Sequence, residues 1–216
     1  MLNISGISEG FVLDHVQAGM SLQIYHDLKI KSFFDKITAD TKIKFDPNLV
    51  NRFLTVARII SPDSKLGTSQ NLDYFYEKPE FDYVHILRTM DILADHYDEY
   101  ITHLFKKSCD VIKRDTSVCF YDCSNYYFEI EDNDEDYVDE VTGEIIKGLR
   151  KYGISKEHRP NPIVEMGLFM DRDGIPLSMC ITSGSDNEQT TAIPLEKKLT
   201  EMFNGKKFIY CADAGL

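Results

Sequence analysis

The sequence predicts an α/β protein of the α+β kind, with an all-helical region at residues 1–112 and a mixed sheet at residues 113–216. Two observations indicate this division. Up to about residue 110, apolar residues recur every three to four positions, which is the period of a helix with one buried face. From residue 117 onward, short apolar runs separated by turn residues are typical of strands. The order predicted for the second region is strand, strand, strand, helix, strand.

In the helical region, Asp46-Pro47 marks the start of a helix, because aspartate caps helices and proline fits the first helical position. Ser61-Pro62 ends that helix, since a residue before proline is driven out of the helical conformation. Residues 63–71 are predicted to form a polar loop. A shorter helix is expected around residues 30–37, and one long helix from about Asp82 to Lys106.

Three elements are predicted between the first and the last strand. Strands at Ile163–Met170 and Ile175–Thr182 flank the turn sequence Asp-Arg-Asp-Gly at 171–174, which is typical of a hairpin. Pro176 favours an edge position for the second of these strands. A helix from about Thr190 to Phe203 supplies the crossover that a parallel last strand needs.

Two apolar runs each end in an aspartate: Val118–Tyr121 precedes Asp122, and Phe208–Ala212 precedes Asp213. Apolar runs without alternation are typical of strands buried on both faces. If these strands are parallel neighbours, about 4.8 Å apart, both carboxylates emerge at one sheet edge, where α/β proteins bind ligands. Paired anionic oxygens favour Mg²⁺ or Mn²⁺. The alternative is that each aspartate is a turn or cap residue.

Composition describes a globular chain of 216 residues, 43% hydrophobic and 28% charged. No apolar run approaches the roughly 20 residues of a membrane-spanning helix, and the first residues do not resemble a signal peptide. The five cysteines form no CxxC pair, which argues against a zinc site or a disulfide framework. We therefore expect a cytoplasmic protein without membrane contact.

Charge is unevenly distributed along the chain. The net charge of -12 argues against a uniformly basic DNA-binding surface. Residues 129–140 hold eight acids, whereas residues 147–159 hold five bases, which are Lys147, Arg150, Lys151, Lys156 and Arg159. A local basic segment of this kind can contact phosphate groups even in an acidic chain. The alternative is a solvated charged loop.

Six sequence motifs follow one another between residues 121 and 216. They are YDCSNYYFE (121–129), GLRKYGISK (148–156), MGLFM (166–170), DGIPL (173–177), GSDNE (184–188) and ADAGL (212–216). In this order they resemble the catalytic domain of bacterial insertion-sequence transposases of the DDE class. The predicted order of strands is likewise that of the ribonuclease H-like fold.

The resemblance implies an enzyme that cleaves DNA and transfers strands by a two-metal mechanism with Mg²⁺ or Mn²⁺. Asp122 and Asp213 match the first two catalytic, metal-binding acids. The third acid, a glutamate, lies beyond residue 216 in that family, so the chain is expected to be an N-terminal fragment that is inactive alone. Glu129, Asp173 and Asp186 remain open as replacements for it.

The implied partners are the transposon ends and the target DNA. The five basic residues of the segment 147–159 are expected to contact the DNA backbone beside the site. A homodimer is left open. Two alternatives to transposition also remain. One is a nuclease on the same ribonuclease H-like fold that hydrolyses DNA without strand transfer. The other is a non-catalytic acidic interaction module, in which the helices bind a partner and the sheet is a scaffold.

Overall fold

A computed structural model of the chain describes residues 19–75, 79–156, 158, 160–205 and 207–212. The chain divides into two compact units, Met1–Ile112 and Lys113–Leu216. Helices make up the described part of the first unit, and a mixed sheet with one helix makes up most of the second. The predicted α+β class is thus confirmed at this coarse level.

The first unit contains six described helices. Their bounds are α1 (residues 19–27), α2 (Ile30–Thr38), α3 (Pro47–Ile60), α4 (Lys65–Gln70), α5 (Tyr83–Asp95) and α6 (Tyr97–Val111), with a 3-10 turn at Leu72–Tyr74. The predicted start of α3 is confirmed, because Oδ1 of Asp46 accepts a hydrogen bond from the N–H of Leu49 at 3.2 Å. The loop predicted at 63–71 is wrong, since Ser64 caps the short helix α4 by accepting from the N–H of Gly67 at 2.9 Å.

The long helix predicted from Asp82 to Lys106 is two helices, α5 and α6, which meet at His96. His96 has φ -112° and ψ 23°, outside the helical region, and Nδ1 of its ring lies 3.1 Å from Oε1 of Glu99. The apolar spacing continues in phase across the break through Leu93, Tyr97 and Ile101. Periodicity alone therefore could not reveal where α5 ends.

A buried polar network ties several helices of the first unit together. The hydroxyl of Tyr25 donates to Oδ1 of Asn48 at 3.0 Å and accepts from Nδ2 of Asn51 at 2.9 Å. Nδ2 of Asn51 also lies 3.4 Å from the hydroxyl of Tyr100 on α6. Burial raises the pKa of both tyrosines above the ordinary value, which favours the protonated hydroxyl in each. Beside this network, Phe33 and Phe34 form the apolar core.

The second unit contains two sheets and one helix. Its elements are β1 (Val118–Tyr127), β2 (Tyr137–Val138), β3 (Ile145–Ile146), β4 (Ile163–Met170), β5 (Pro176–Ser183), α7 (Glu188–Met202) and β6 (Ile209–Ala212). The main sheet has the strand order β5-β4-β1-β6. The small β2-β3 pair was not predicted, because its sequence is dominated by charged residues.

Strand directions in the main sheet follow from the connections. β1 pairs antiparallel with β4, which pairs antiparallel with β5, and β6 lies parallel beside β1 after the crossover through α7. The predicted hairpin turn at 171–174 is confirmed, with Gly174 at φ +77°. The edge position predicted for the strand that begins at Pro176 is also confirmed.

The expectation that β1 and β6 are buried on both faces is wrong. Burial alternates along β1: Cys119, Tyr121 and Cys123 are buried, whereas Phe120 is 41% exposed. All four residues of β6 are exposed, including Cys211, which sequence analysis placed in a core strand. The reason is that α7 packs against β4 and β5 and buries one face of the sheet, with Leu195 and Leu199 in its core.

An ion pair with almost no exposure fixes the start of the sheet unit to the β4–β5 turn. Nε of Arg114 donates to Oδ2 of Asp171 at 2.5 Å, and the two side chains are 3% and 0% exposed. Oδ1 of Asp171 accepts from the N–H groups of Asp173 and Ile175 at 3.1 Å and 2.9 Å. Nη2 of Arg114 donates to the carbonyl oxygens of Ile175 and Pro176. One carboxylate thus organises both the turn and the segment before β1.

Within the residues that the structure describes, no helix is both long and apolar enough to cross a membrane.

Candidate functional site

Asp122 lies on the exposed side of β1, where its Oδ1 accepts from the N–H of Cys123 at 2.9 Å. The register of the parallel pair sets Tyr121 opposite Ala212, the last residue of β6, whereas β1 continues to Tyr127. Asp122 thus lies within β1 and not at its end, because the antiparallel pairing with β4 extends the strand beyond it. Asp213 lies outside the described residues. The assignment of Asp122 and Asp213 as a functional carboxylate pair therefore stays a prediction.

Four of the five bases singled out in residues 147–159 contact groups of the chain itself, and Arg159 lies outside the described residues. The contacts are Lys147 to Asp186 at 3.0 Å, Arg150 Nε to Asp134 at 2.7 Å, Lys151 to Asp136 at 2.8 Å, and Lys156 to the carbonyl of Cys123. These cations thus balance nearby carboxylates or cap a backbone carbonyl. A DNA-contacting role for these five positions stays a prediction.

Carboxylates of the acidic segment, residues 129–140, form ion pairs with two of these bases. Hydrogen bonds from Arg150 hold the pKa of Asp134 below its ordinary value, and the contact with Lys151 does the same for the pKa of Asp136. The carboxylate of Asp136 also accepts from the N–H of Gly148 at 2.9 Å. The charged residues of the two segments thus organise the β2-β3 region together.

A pocket of about 520 Å³ in the helical unit is a candidate for a binding site. We call it the basic pocket and define it by its lining residues Lys42, Ile43, Lys44, Phe45, His85, Arg88, Asp91 and Ile92. Three of these residues carry a fixed positive charge and one carries a negative charge. In a chain with a net charge of -12, this is a local reversal of sign.

Helix α5 positions one wall of the basic pocket. His85, Arg88 and Asp91 are spaced three residues apart, which sets them on one side of the helix. His85 is fixed by a capping box at the start of α5: its Nδ1 accepts from the N–H of Asp82 at 3.2 Å, and Oδ1 of Asp82 accepts from the N–H of His85 at 3.0 Å. Nδ1 of the ring also lies 2.9 Å from Oδ1 of Asp82, so these contacts hold the ring in place.

The segment before α3 forms the opposite wall. The ring centroid of Phe45 lies 4.7 Å from that of His85, so an aromatic contact holds the two walls together. Lys42 and Lys44 are exposed, and their ammonium groups are available beside the rim. The arrangement offers cationic donors next to an aromatic surface, which suits a small anionic ligand.

Sequence reasoning missed the basic pocket. Its residues come from two segments about 40 positions apart, and neither carries a recognised motif. One weak signal was present: Lys42-Ile-Lys-Phe45 alternates charged with apolar residues just before the cap of α3.

One family model matches the chain, and it describes the allosteric domain of the aspartate carbamoyltransferase regulatory chain. The match runs from residue 2 to residue 46, which is 45 residues or about a fifth of the chain. It includes residues 42–45 of the basic pocket. No curated protein and no solved structure matches the chain.

This match overturns the identification as a DDE transposase or a related nuclease. The matched domain belongs to a regulatory chain, so the predicted enzyme activity, transposition and DNA recombination are wrong. The same finding removes transposon ends and target DNA as partners.

The Mg²⁺ or Mn²⁺ cofactor, predicted from the paired carboxylates and from the transposase resemblance, is contradicted by the same match. Among the described residues, no three or more His, Cys, Asp or Glu side chains come close enough to hold a metal ion. Asp122 therefore belongs to no such group of three within the described part of the sheet.

Proposed function

We propose that the chain is a regulatory protein, in which the helical unit binds a small anionic effector in the basic pocket and thereby controls a partner enzyme. The observation that carries the proposal is the overlap between the basic pocket and the matched allosteric domain, which share residues 42–45. A regulatory domain needs a site for its effector, and this pocket is built partly from the matched residues.

The chemistry of the pocket favours an anion. The guanidinium of Arg88 presents a planar set of donors that pairs with carboxylate or phosphate oxygens through two parallel hydrogen bonds. Lys42 and Lys44 add two point charges from the opposite wall. Because these side chains are exposed, solvent and salt screen each interaction, so binding should weaken as ionic strength rises.

The proposal is tested by titrating the full chain with inorganic pyrophosphate in a calorimeter at low salt. We expect saturable binding, and we expect Arg88→Gln to weaken it about tenfold, because a hydrogen bond to a charged group contributes about 1.5–3 kcal/mol. Arg58→Gln is the matched control, since Arg58 is an exposed arginine on α3 outside the pocket. Equal losses in both variants would mean that pyrophosphate senses only the general charge of the helical unit.

We also infer that the main sheet follows the ribonuclease H-like order of strands, as a scaffold rather than as an active site. Support comes from the order β5-β4-β1-β6, with three antiparallel strands and a fourth strand parallel to the first. The inference is tested by nuclear Overhauser contacts between Phe120 and Cys211, which are register partners on β1 and β6. A lack of such contacts would contradict it.

A further inference from the structure

The basic pocket contains one histidine, His85, among lining residues whose charge is otherwise constant near neutral pH. Histidine is the side chain that most readily gains or loses a proton between about pH 5 and pH 8. Lysine and arginine stay positive over that interval, and aspartate stays negative. A change of pH in this range therefore changes the charge of the pocket at His85.

Contacts with Asp82 and Phe45 fix the imidazole of His85. Its Nδ1 lies 3.2 Å from the backbone nitrogen of Asp82 and 2.9 Å from Oδ1 of the same residue. The ring of Phe45 packs against the imidazole, with the centroids 4.7 Å apart and the planes inclined by 41°. The side chain of His85 is nevertheless 31% exposed, so a ligand in the pocket can reach it.

The two contacts between Nδ1 and Asp82 suit opposite protonation states. An unprotonated Nδ1 accepts the hydrogen bond from the backbone N–H of Asp82, whereas a protonated Nδ1 donates to Oδ1. Both groups of Asp82 already lie within hydrogen-bond distance, so the ring can exchange one state for the other without a change of position. The capping box thus accommodates both the neutral imidazole and the imidazolium.

Five charged side chains belong to the pocket lining or to the cap that holds the ring; they are Lys42, Lys44, Arg88, Asp82 and Asp91. In the free chain, the three cations disfavour a further positive charge on the imidazole, and the two carboxylates favour it. Asp46, which follows Phe45, is engaged in capping α3. An anion bound between the cations offsets their repulsion, so it favours the imidazolium.

We propose that His85 is a proton-dependent ligand of the basic pocket, so that binding of a multiply charged oxyanion is accompanied by uptake of one proton from solvent at this imidazole. The inference rests on the proposed function, because it assigns a pH control to the same effector site. In the bound state, Nδ1–H donates to Oδ1 of Asp82 and Nε2–H donates to an oxygen of the anion. By linkage, the anion binds more tightly as the pH falls through the range in which histidine titrates.

The dependence is tested by calorimetric titration of the full chain with sodium sulfate at about pH 5.5 and about pH 8, with the ionic strength held equal by sodium chloride. Sulfate serves as the probe because its own charge is constant over this interval, whereas pyrophosphate takes up protons within it. We expect the dissociation constant to be about tenfold lower at the acidic pH, because the imidazolium adds a charged hydrogen bond.

His85→Gln should bind sulfate equally at both pH values. Glutamine is a usual residue at this position of a capping box, so the start of α5 is preserved in the variant. His26→Gln is the matched control, since His26 is an exposed histidine of α1 outside the pocket, and it should keep the full pH dependence. Equal affinities at the two pH values in the wild type, or the same pH dependence in His85→Gln, overturn the inference.

Proton uptake is also measured directly on the wild type by NMR of the histidine rings. At about pH 7, sulfate should move the Cε1–H signal of His85 toward the position of the imidazolium, and its loss in His85→Gln assigns the signal. A His85 signal that stays in place while sulfate saturates the chain overturns the inference, as does a lack of saturable sulfate binding at either pH. The effector site itself is decided separately, by the pyrophosphate titrations of wild type and Arg88→Gln.

Discussion

At the scale of single residues, Asp171 both holds the hairpin turn and pairs with Arg114, whereas the turn sequence predicted only the first of these roles. The pattern Asp-Arg-Asp-Gly at 171–174 predicted a hairpin turn, and the turn is present. The sequence did not indicate that Asp171 is fully buried or that Arg114, 57 positions earlier, supplies its counter-charge. Such a pairing depends on how the segment before β1 crosses the sheet, which local patterns do not encode.

We expect Asp171→Asn to lower the free energy of unfolding by about 3–5 kcal/mol, because it leaves the charge of Arg114 buried without a counter-charge. Urea unfolding followed by circular dichroism measures the change. Asp173→Asn, at an exposed position in the same turn, should cost less than about 0.5 kcal/mol. Similar losses for the two variants would show that the turn, not the ion pair, is responsible.

The functional residues illustrate the same limit. The rule that carboxylates gather at strand ends drew attention to Asp122, which the structure shows exposed on β1. Glu165 lies in the middle of an apolar strand and has no sequence signal beyond being an acid among apolar residues. That isolated acid among apolar residues was the available clue that β4 buries a carboxylate.

At the scale of elements, the acids and the bases of the highly charged stretch 129–159 pair with one another. Asp134 pairs with Arg150 and Asp136 pairs with Lys151, so the two halves of the stretch are held together across β2 and β3. Sequence analysis treated the acids and the bases as separate features. Their opposite charges were the signal that they would meet.

These contacts have a defined pH dependence. The pKa values of Asp134 and Asp136 are lowered in the folded chain. The two carboxylates therefore stabilise the folded state fully above the unfolded pKa of about 3.9, and this stabilisation is lost as the pH falls through their lower folded pKa values. NMR follows the protonation of the two carboxylates through the N–H groups of Gly148 and Arg150, which donate hydrogen bonds to them.

We expect both amide signals to shift only below about pH 3.9. The N–H of Gly205, which donates to the carbonyl of Thr200, is the internal control and should not follow the same curve. Transitions centred above that pH would contradict the assigned pairs.

Elements with strong local signals were predicted well. The Asp-Pro start of α3 and the glycine turn between β4 and β5 are determined by neighbouring residues. The break at His96 and the one-sided burial of β1 were not predicted. No proline or glycine marks the break at His96, and the burial of β1 depends on which face of the sheet α7 covers.

At the scale of the whole molecule, each unit contains a pocket built from distant segments. The basic pocket combines the segment before α3 with α5, and a pocket in the sheet unit combines residues 152–154 with Glu165 of β4 and residues 184–187, which precede α7. Sites of this kind arise only when distant segments fold together, so the sequence supported the fold class better than the sites.

The regulatory role that we propose makes a prediction about the 216-residue chain. Mixed with the catalytic subunit of aspartate carbamoyltransferase, the chain should change the rate of that enzyme, and pyrophosphate should alter the size of the change. By linkage, the enzyme should change the affinity of the chain for pyrophosphate by the same factor as pyrophosphate changes the affinity for the enzyme.

Steady-state kinetics measures the change in the enzyme rate, and calorimetry measures the change in the affinity of the chain for pyrophosphate. The Arg88→Gln chain is the control, because it should still bind the enzyme but should lose the response to pyrophosphate. An enzyme rate that is independent of the chain at every ratio would exclude this partner.

The close contact between Gly153 and Gly184 has a consequence for tracing the history of this chain. A side chain at Gly153 would collide with the carbonyl of Gly184, and one at Gly184 would collide with the carbonyl of Ile163, so a lineage that retains this backbone packing has to inherit both glycines. Distant descendants whose remaining residues have drifted beyond recognition would still share this spaced pair, and its loss would mark branches in which the packing has been rebuilt.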